Sequence, residues 1–391
     1  MISLARQDLD DPATGEAAPL ATAEILQCEE QPLRFTGSGN EYFRIWAVNL
    51  ALTVLTLGVY SAWAKVRRLQ YFYRHTMLDD AAFDYVASPV AILRGRIIAV
   101  ALSVLYYLAF DFSAIAGLVV TLALAIALPW LLWQSSRFKA CNTRYRGLTF
   151  GFDGRLGEAY RTYLPPIAVL LSPSAIAAFV LGVKSQMWLG LLSLLGIVAL
   201  PVFHALFRRF IQSNLRYGKA RFGFAAKTSD FVRVWLKGMG VVVAVGLGVG
   251  SLTGLLLGLV GLLLGYNNIG LAGIGVWALG TSLGYILIGS YYTARFQKLL
   301  WEKTTIGDIG FRCDISARRL LRIQCENTLL VLLTLGLYRP FAAIRVARYR
   351  LGCMAVSGYW HLGDFCAGAT QSRRGATGES AAEFFEMDVG L

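Results

Sequence analysis

The stretch Asn49–Tyr60 reads NLALTVLTLGVY, and Asn327–Tyr338, near the other end of the chain, reads NTLLVLLTLGLY. Seven of the twelve positions are identical, at a constant offset of 278 residues. Each copy is apolar up to a Thr-Leu-Gly-x-Tyr ending, where glycine weakens a helix and tyrosine favours a lipid–water interface. Two spans, two buried helices, or two segments that dip and return: the choice decides how the rest of the chain is arranged.

The surroundings are those of a membrane protein. Of 391 residues, 56 % are hydrophobic and only 16 % charged, with a mean hydropathy of +0.54. Soluble domains of this length carry about 25 % charged residues. Between Arg96 and Arg137 lie 40 residues with one charge, Asp111; between Arg161 and Arg208 lie 46 with one, Lys184; Gly238–Ala294 holds none in 57. Each run allows two passes of about 20 residues across about 30 Å of hydrocarbon. They read as helical hairpins over 93–134, 163–207 and 238–294, turning at FDFS, GVKSQ and GYNNIG. The expected fold class is therefore all-α integral membrane, with about six spans.

The net charge of +13 is a topology signal. Of the 37 Lys and Arg, 27 fall in four segments, 65–96, 137–161, 208–237 and 295–322, while the three turns hold one, Lys184. Cationic loops stay cytoplasmic and face anionic lipid, so both termini are expected in the cytoplasm. The phospholipid bilayer, with its anionic headgroups, is the expected partner. Nucleic acid is not needed to explain the charge.

Making both twins spans would give eight, and would put Arg339, Arg345, Arg348 and Arg350 on the wrong face. The second twin also has only 12 uncharged residues between Glu326 and Arg339, roughly 18 Å of helix. The first, with 20, is long enough to span. The reading adopted is a helix that enters partway, breaks and returns along the surface, over 45–64 and 327–344. Re-entrant backbone needs protein to shield its polar groups, so the twins are expected to pack on the hairpins. The candidate cavity or helix-break residues are Asn49, Thr56, Gly58, Tyr60, Asn327, Thr334, Gly336 and Tyr338.

The basic joints also repeat. RFKACNTRYRGLTFGF (Arg137–Phe152) and RFIQSNLRYGKARFGF (Arg209–Phe224) share eight residues in register, 72 apart, with worn copies from Arg68 and Arg295. Each passes from a basic helix end into a short cytoplasmic strand or β-hairpin. Arg67, Arg68, Arg137, Asn142, Arg144, Arg209, Asn214, Arg216 and Arg345 are the candidate interfacial or anionic-lipid contacts; ordinary headgroup-level anchoring is the plainer reading. Gly246, Gly250, Gly254 and Gly258 form a ladder at four-residue spacing, answered by Gly280 and Gly284. Such small faces let helices approach closely in lipid.

Chemistry is sparse. The three histidines, His75, His204 and His361, lie at no metal-ligand spacing. No phosphate-cradling GxxxxGK[ST] and no GxSxG occurs. No CxxC pairs occur among the six cysteines, which are expected as free thiols. No enzyme activity, metal or cofactor is expected. The first 33 residues, acidic and without a signal-peptide pattern, and residues 363–391 read as disordered. They flank one membrane domain over 34–362.

The pieces FTGSG (Phe35–Gly39), YFRIW, TLGVYSAWAKVRR and NTRYRGLTFGFDG together resemble the YjgN-like family of bacterial inner-membrane proteins, a domain family of unknown function. The likeness reaches to about residue 362. It departs at YRPFAAIR in the second twin and in the acidic leader. The resemblance implies an inner-membrane location and a repeated multi-span fold, and carries over no site residues. The expected function is transport or lipid handling through a pseudo-symmetric bundle. The alternative is a scaffold that binds anionic lipid or protein partners through its basic aromatic face. The sequence is compatible with a homo-oligomer.

Overall fold

A computed structural model describes residues 30–176, 186–265, 270–307 and 309–358. Most of the GVKSQ and GYNNIG turns, leader residues 1–29 and tail residues 359–391 lie outside them. The leader's last residues are described: Glu30–Pro32 forms β1, continued after Leu33 by β2 (Arg34–Phe35).

The remaining elements alternate strand pairs with helix pairs. Helices α1 (Gly39–Leu55) and α2 (Ser61–Arg74) lead to β3 (Thr76–Leu78) and β4 (Ala81–Tyr85). Then come α3 (Pro89–Phe112), α4 (Ala114–Cys141), β5 (Thr143–Tyr145) and β6 (Leu148–Phe152). The third set is α5 (Leu156–Ile176), α6 (Gln186–Ser213), β7 (Leu215–Tyr217) and β8 (Ala220–Phe224). The fourth is α7 (Thr228–Leu264), α8 (Gly270–Glu302), β9 (Thr304–Ile306) and β10 (Ile309–Cys313). Last are α9 (Ala317–Leu333), α10 (Arg339–Gly352) and β11 (Met354–Ser357).

The first three strand pairs are tight hairpins with two-residue loops. Asp79 and Asp80 have φ of 47° and 53°, Arg146 and Gly147 of 45° and 76°. Positive φ at both loop positions gives the turn whose twist matches that of paired strands. Alternation then sends every second side chain inward. The first strands contribute Leu78, Tyr145, Tyr217, Ile306 and Val356 to one apolar hub, and the second strands Phe83, Phe150, Phe222, Phe311 and Leu33. Tyrosines knit neighbouring units: the Tyr145 hydroxyl donates to the Leu78 carbonyl at 2.6 Å, and that of Tyr217 to Tyr145 at 3.0 Å.

The eleven strands form one antiparallel sheet whose edges, β1 and β2, belong to the same extended segment. That segment pairs with β11 through Glu30–Pro32 and with β3 through Arg34 and Phe35, so the sheet closes on itself. At all five junctions the residue after a second strand donates its N–H to the carbonyl just before the next unit's first strand. These bonds are Thr36 to His75, Val86 to Asn142, Asp153 to Asn214, Ala225 to Lys303 and Asp314 to Cys353, all 2.9–3.0 Å. The fold is a pseudo-fivefold ring of one strand pair and one helix pair per unit. The fifth strand pair is assembled from both ends of the described chain.

The helices follow suit. Each makes its substantial helix contacts with the helix before and the helix after, and α10 returns to α1. Seven residues beyond each second strand sits a buried anchor: Tyr42, Ile92, Ala159, Phe231 or Leu320. The 278-residue offset between the twins is the spacing of two ring neighbours.

The all-α, six-span expectation is corrected. Among the described residues, four helices are long and apolar enough to cross a membrane: Pro89–Phe112, Ile115–Cys141, Thr228–Leu263 and Ala272–Glu302. The 163–207 stretch forms parts of α5 and α6, which flank undescribed residues and are not among the four. The chain also carries an eleven-stranded antiparallel sheet. Strands of two to five residues leave only a brief period-two signal, and their pairing is completed by non-local closure that no sequence window contains.

Candidate functional site

The two twin hairpins are the most distinctive pair in the ring. In each, threonine builds the break. The Thr56 hydroxyl donates to Leu52 at 2.8 Å and accepts from the Tyr60 N–H at 2.9 Å; Thr334 does the same with Leu330 and Tyr338, at 2.7 and 3.0 Å. The chain reverses through Leu57 (φ 49°) and Gly58 (φ 93°), and again through Leu335 (50°) and Gly336 (94°). Gly58 N–H closes on Thr53 and Gly336 N–H on Val331, at 2.8 and 2.7 Å. The helices therefore turn back after 17 residues, with Leu57 and Leu335 at their tips 96 % and 94 % exposed. An apolar tip of that kind matches hydrocarbon better than water.

The twins meet side by side. Phe43 stacks on Phe341 at 5.7 Å, and Arg348 donates to the Gly37 carbonyl at 2.9 Å. Inside the second hairpin Arg345 donates to Asn327 Oδ1 at 3.1 Å and to the Glu326 carboxylate at 2.6 Å, beside the Tyr338 hydroxyl. The first hairpin has the equivalent Asn49, Tyr60 and Arg67 without that bonding. Arg67 lies over the Tyr60 ring at 5.7 Å, while Asn49 Oδ1 and the Tyr60 hydroxyl are buried and have no hydrogen-bond partner among the described residues.

The other sequence-nominated residues are spread round the sheet end of the ring. Asn142 and Asn214 close the last turns of α4 and α6, donating to Phe138 and Phe210 at 2.9 and 2.8 Å. Arg137 lies over Trp133, Arg209 donates to the Ala226 carbonyl, and Arg216 pairs with Asp153 at 3.1 Å. Arg144 stands opposite Asp84 in the sheet, with its Nε buried and without a partner among the described residues. Arg68 is exposed on α2. A side chain at Gly246, Gly250, Gly254 or Gly258 would meet no neighbour, so that ladder faces open space; Gly280 abuts Thr253, and Gly284 lies near Val245. His204 accepts from Arg208 at 3.3 Å among Phe231, Trp235 and Phe296.

Sequence reading missed Arg96 and Glu326. Arg96, on α3, donates to the Ser61 hydroxyl next to Tyr60. Its signal was a cation at the mouth of an apolar run. Glu326 was legible only by aligning the twins, where Val48 occupies the same place.

These features define a polytopic membrane protein built as a closed pseudo-symmetric ring, with a strand hub at one end and apolar helices at the other. The chain belongs to the DUF898 family, described as bacterial protein of unknown function, whose family model matches residues 30–384. It is similar to the inner membrane protein YjgN of Escherichia coli (strain K12), 27 % identical over 220 residues, covering 51 % of this chain and 53 % of that protein. The Salmonella typhimurium protein of the same name is 31 % identical over 217 residues, 51 % and 54 % of the two chains. The chain thus spans about half the length of the curated relatives it matches. No solved structure matches it.

Proposed function

We propose that the chain handles lipid in the bacterial inner membrane, as a ring that admits acyl chains between its helix pairs and meets headgroups near its strand hub. One observation carries this reading. Among the described residues the substantial helix–helix contacts are between ring neighbours, and between none and 17 % of the apolar stretch of each candidate span is buried. Apolar surface left open on that scale is matched by acyl chains rather than by an aqueous solute. The hub is closed by packed apolar side chains, which disfavours a water-filled path along the ring axis. In this reading the hub end, where the four basic segments lie, faces the cytoplasm, and the twin tips enter the bilayer partway. We ascribe no enzymatic step to the chain.

Reconstitution into liposomes with a fluorescent phospholipid and an external quencher tests the proposal. Accelerated loss of inner-leaflet fluorescence is expected; protein that inserts and leaves the lipid leaflets unmixed overturns it. That second outcome would favour the scaffold reading, for which the packed hub and its basic rim are the supporting feature. Single cysteines at Lys219 and Phe112, at opposite ends of the ring, test the orientation. Labelling of Lys219→Cys from the periplasm would reverse it.

A further inference from the structure

Between the asparagine and the arginine that the twins share, and just before them, the charges differ at three places: Glu326 stands where the first twin has Val48, Arg339 where it has Ser61, and Ala343 where it has Lys65; the first of these bears on Arg67. The second hairpin satisfies Arg345 internally: one guanidinium nitrogen on Asn327 Oδ1, the other on Glu326. The first has the same asparagine, tyrosine and arginine but carries Val48, 51 % exposed, where Glu326 stands in the second. Its Asn49 Oδ1, on a residue only 7 % exposed, is left without the donor its counterpart has. A second cation, Arg96, donates to Ser61, next to Tyr60, and has no carboxylate partner among the described residues. Arg67 over Tyr60, Arg96 on the adjacent Ser61, and a buried acceptor and hydroxyl without partners among the described residues thus belong to the part of the first twin that corresponds to the carboxylate-filled part of the second.

We infer that the first twin hairpin is a phosphate-binding site, filled by the headgroup of an anionic phospholipid. Glu326 is the built-in stand-in for that anion in the second hairpin. On binding, Arg67 leaves the Tyr60 ring and takes the arrangement Arg345 already has: one nitrogen on Asn49 Oδ1, the other on a phosphate oxygen. A guanidinium fork suits this task because it can bridge a fixed acceptor and an oxyanion at once. Arg96 and the Tyr60 hydroxyl supply the remaining donors. At a lipid–water boundary such charge-assisted bonds gain strength from the lowered dielectric. The choice of a lipid over a free anion rests on the lipid-handling reading; the site itself rests on the twin comparison.

The test counts phospholipid held by the full chain, purified in mild detergent, by native mass spectrometry with dioleoylphosphatidylglycerol as the probe. Val48→Glu gives Arg67 an internal carboxylate and is expected to weaken retention about tenfold. Glu326→Val empties the second site and is expected to retain one lipid more than the native chain. The second variant removes a surface charge pair and keeps the proposal testable should the first fold poorly. Retention unchanged in both variants overturns the site. Excess inorganic phosphate that displaces the lipid, and binds in its place, makes the occupant a free anion and overturns the lipid assignment. Unaltered retention with active leaflet mixing sinks the site and spares lipid handling; altered retention with inert liposomes does the reverse.

Discussion

The hydroxyl of Tyr71 holds both polar backbone atoms of Ser38: it accepts from the N–H at 2.8 Å and donates to the carbonyl at 2.9 Å. Tyr349 grips Ser316 in the same way, at 2.9 and 3.1 Å. Both bonds pin the start of a twin's first helix to the end of its second. The hairpins are thus held at their base, while the apolar tips are left outward.

Tyr71→Phe should lower stability by about 1–3 kcal/mol, because it leaves the Ser38 N–H without its partner, while the Ser38 carbonyl keeps the Tyr42 N–H at 3.2 Å. Burial pushes the Tyr71 pKa up to about 12, above the ordinary value of 10.0. Its contribution is therefore complete below pH 10 and lost as pH rises toward 12. Thermal melts in detergent across that window should fall less steeply for the phenylalanine variant.

Ring closure depends on one short segment. Leu33 enters the hub and its N–H donates to Met354 at 2.9 Å. Leu33→Ala should cost about 2–4 kcal/mol. Glu30 and Ser357 face each other across the seam, so Glu30→Cys with Ser357→Cys should cross-link on oxidation. Failure of that pair to cross-link would disprove the closed sheet.

The break in each twin needs a left-handed residue. Gly58→Ala and Gly336→Ala should each destabilise by about 1 kcal/mol, since both glycines have φ above 90° and an added Cβ meets no atom that could compensate. Thr56→Val should cost a similar amount, about 1 kcal/mol, by freeing the Tyr60 N–H. A chemical-denaturation series on the four single variants, adding Thr334→Val, reads both effects; equal values in the two twins are expected.

Cys313 is fully buried at the end of β10, and burial raises its thiol above the ordinary range. Cys141, at the end of α4, is exposed. Thiolate is the reactive form, so in single-cysteine variants maleimide should modify Cys141 at least about tenfold faster near neutral pH. Labelling of Cys313 should become appreciable only as the solution turns alkaline.

The 72- and 278-residue offsets are steps round the ring, and both were legible as repeats. Their number and closure were not. The units at Arg68 and Arg295 had drifted in sequence, and the fifth is split between Met354–Ser357 and Glu30–Phe35. Of the candidate site, Asn49, Tyr60, Arg67 and Arg345 were found because twin copies preserve them. Glu326 and Arg96 were not, because their meaning depends on what stands opposite.

The sequence by itself determined that this chain enters a membrane. Hydropathy is additive along a helix, so long uncharged runs and clustered arginines are readable one window at a time. The sequence also pointed to a break in each twin through the glycine and tyrosine of Thr-Leu-Gly-x-Tyr but left spanning open, above all for the first copy; the threonine bonds that build the break emerged only from the structure. Only the tertiary structure decided that five worn units close into a ring. That closure joins Leu33 to Met354 and places Phe43 against Phe341. It rests on pairing between residues hundreds of positions apart, where each strand is too short to hold its shape until its neighbours on both sides are in place.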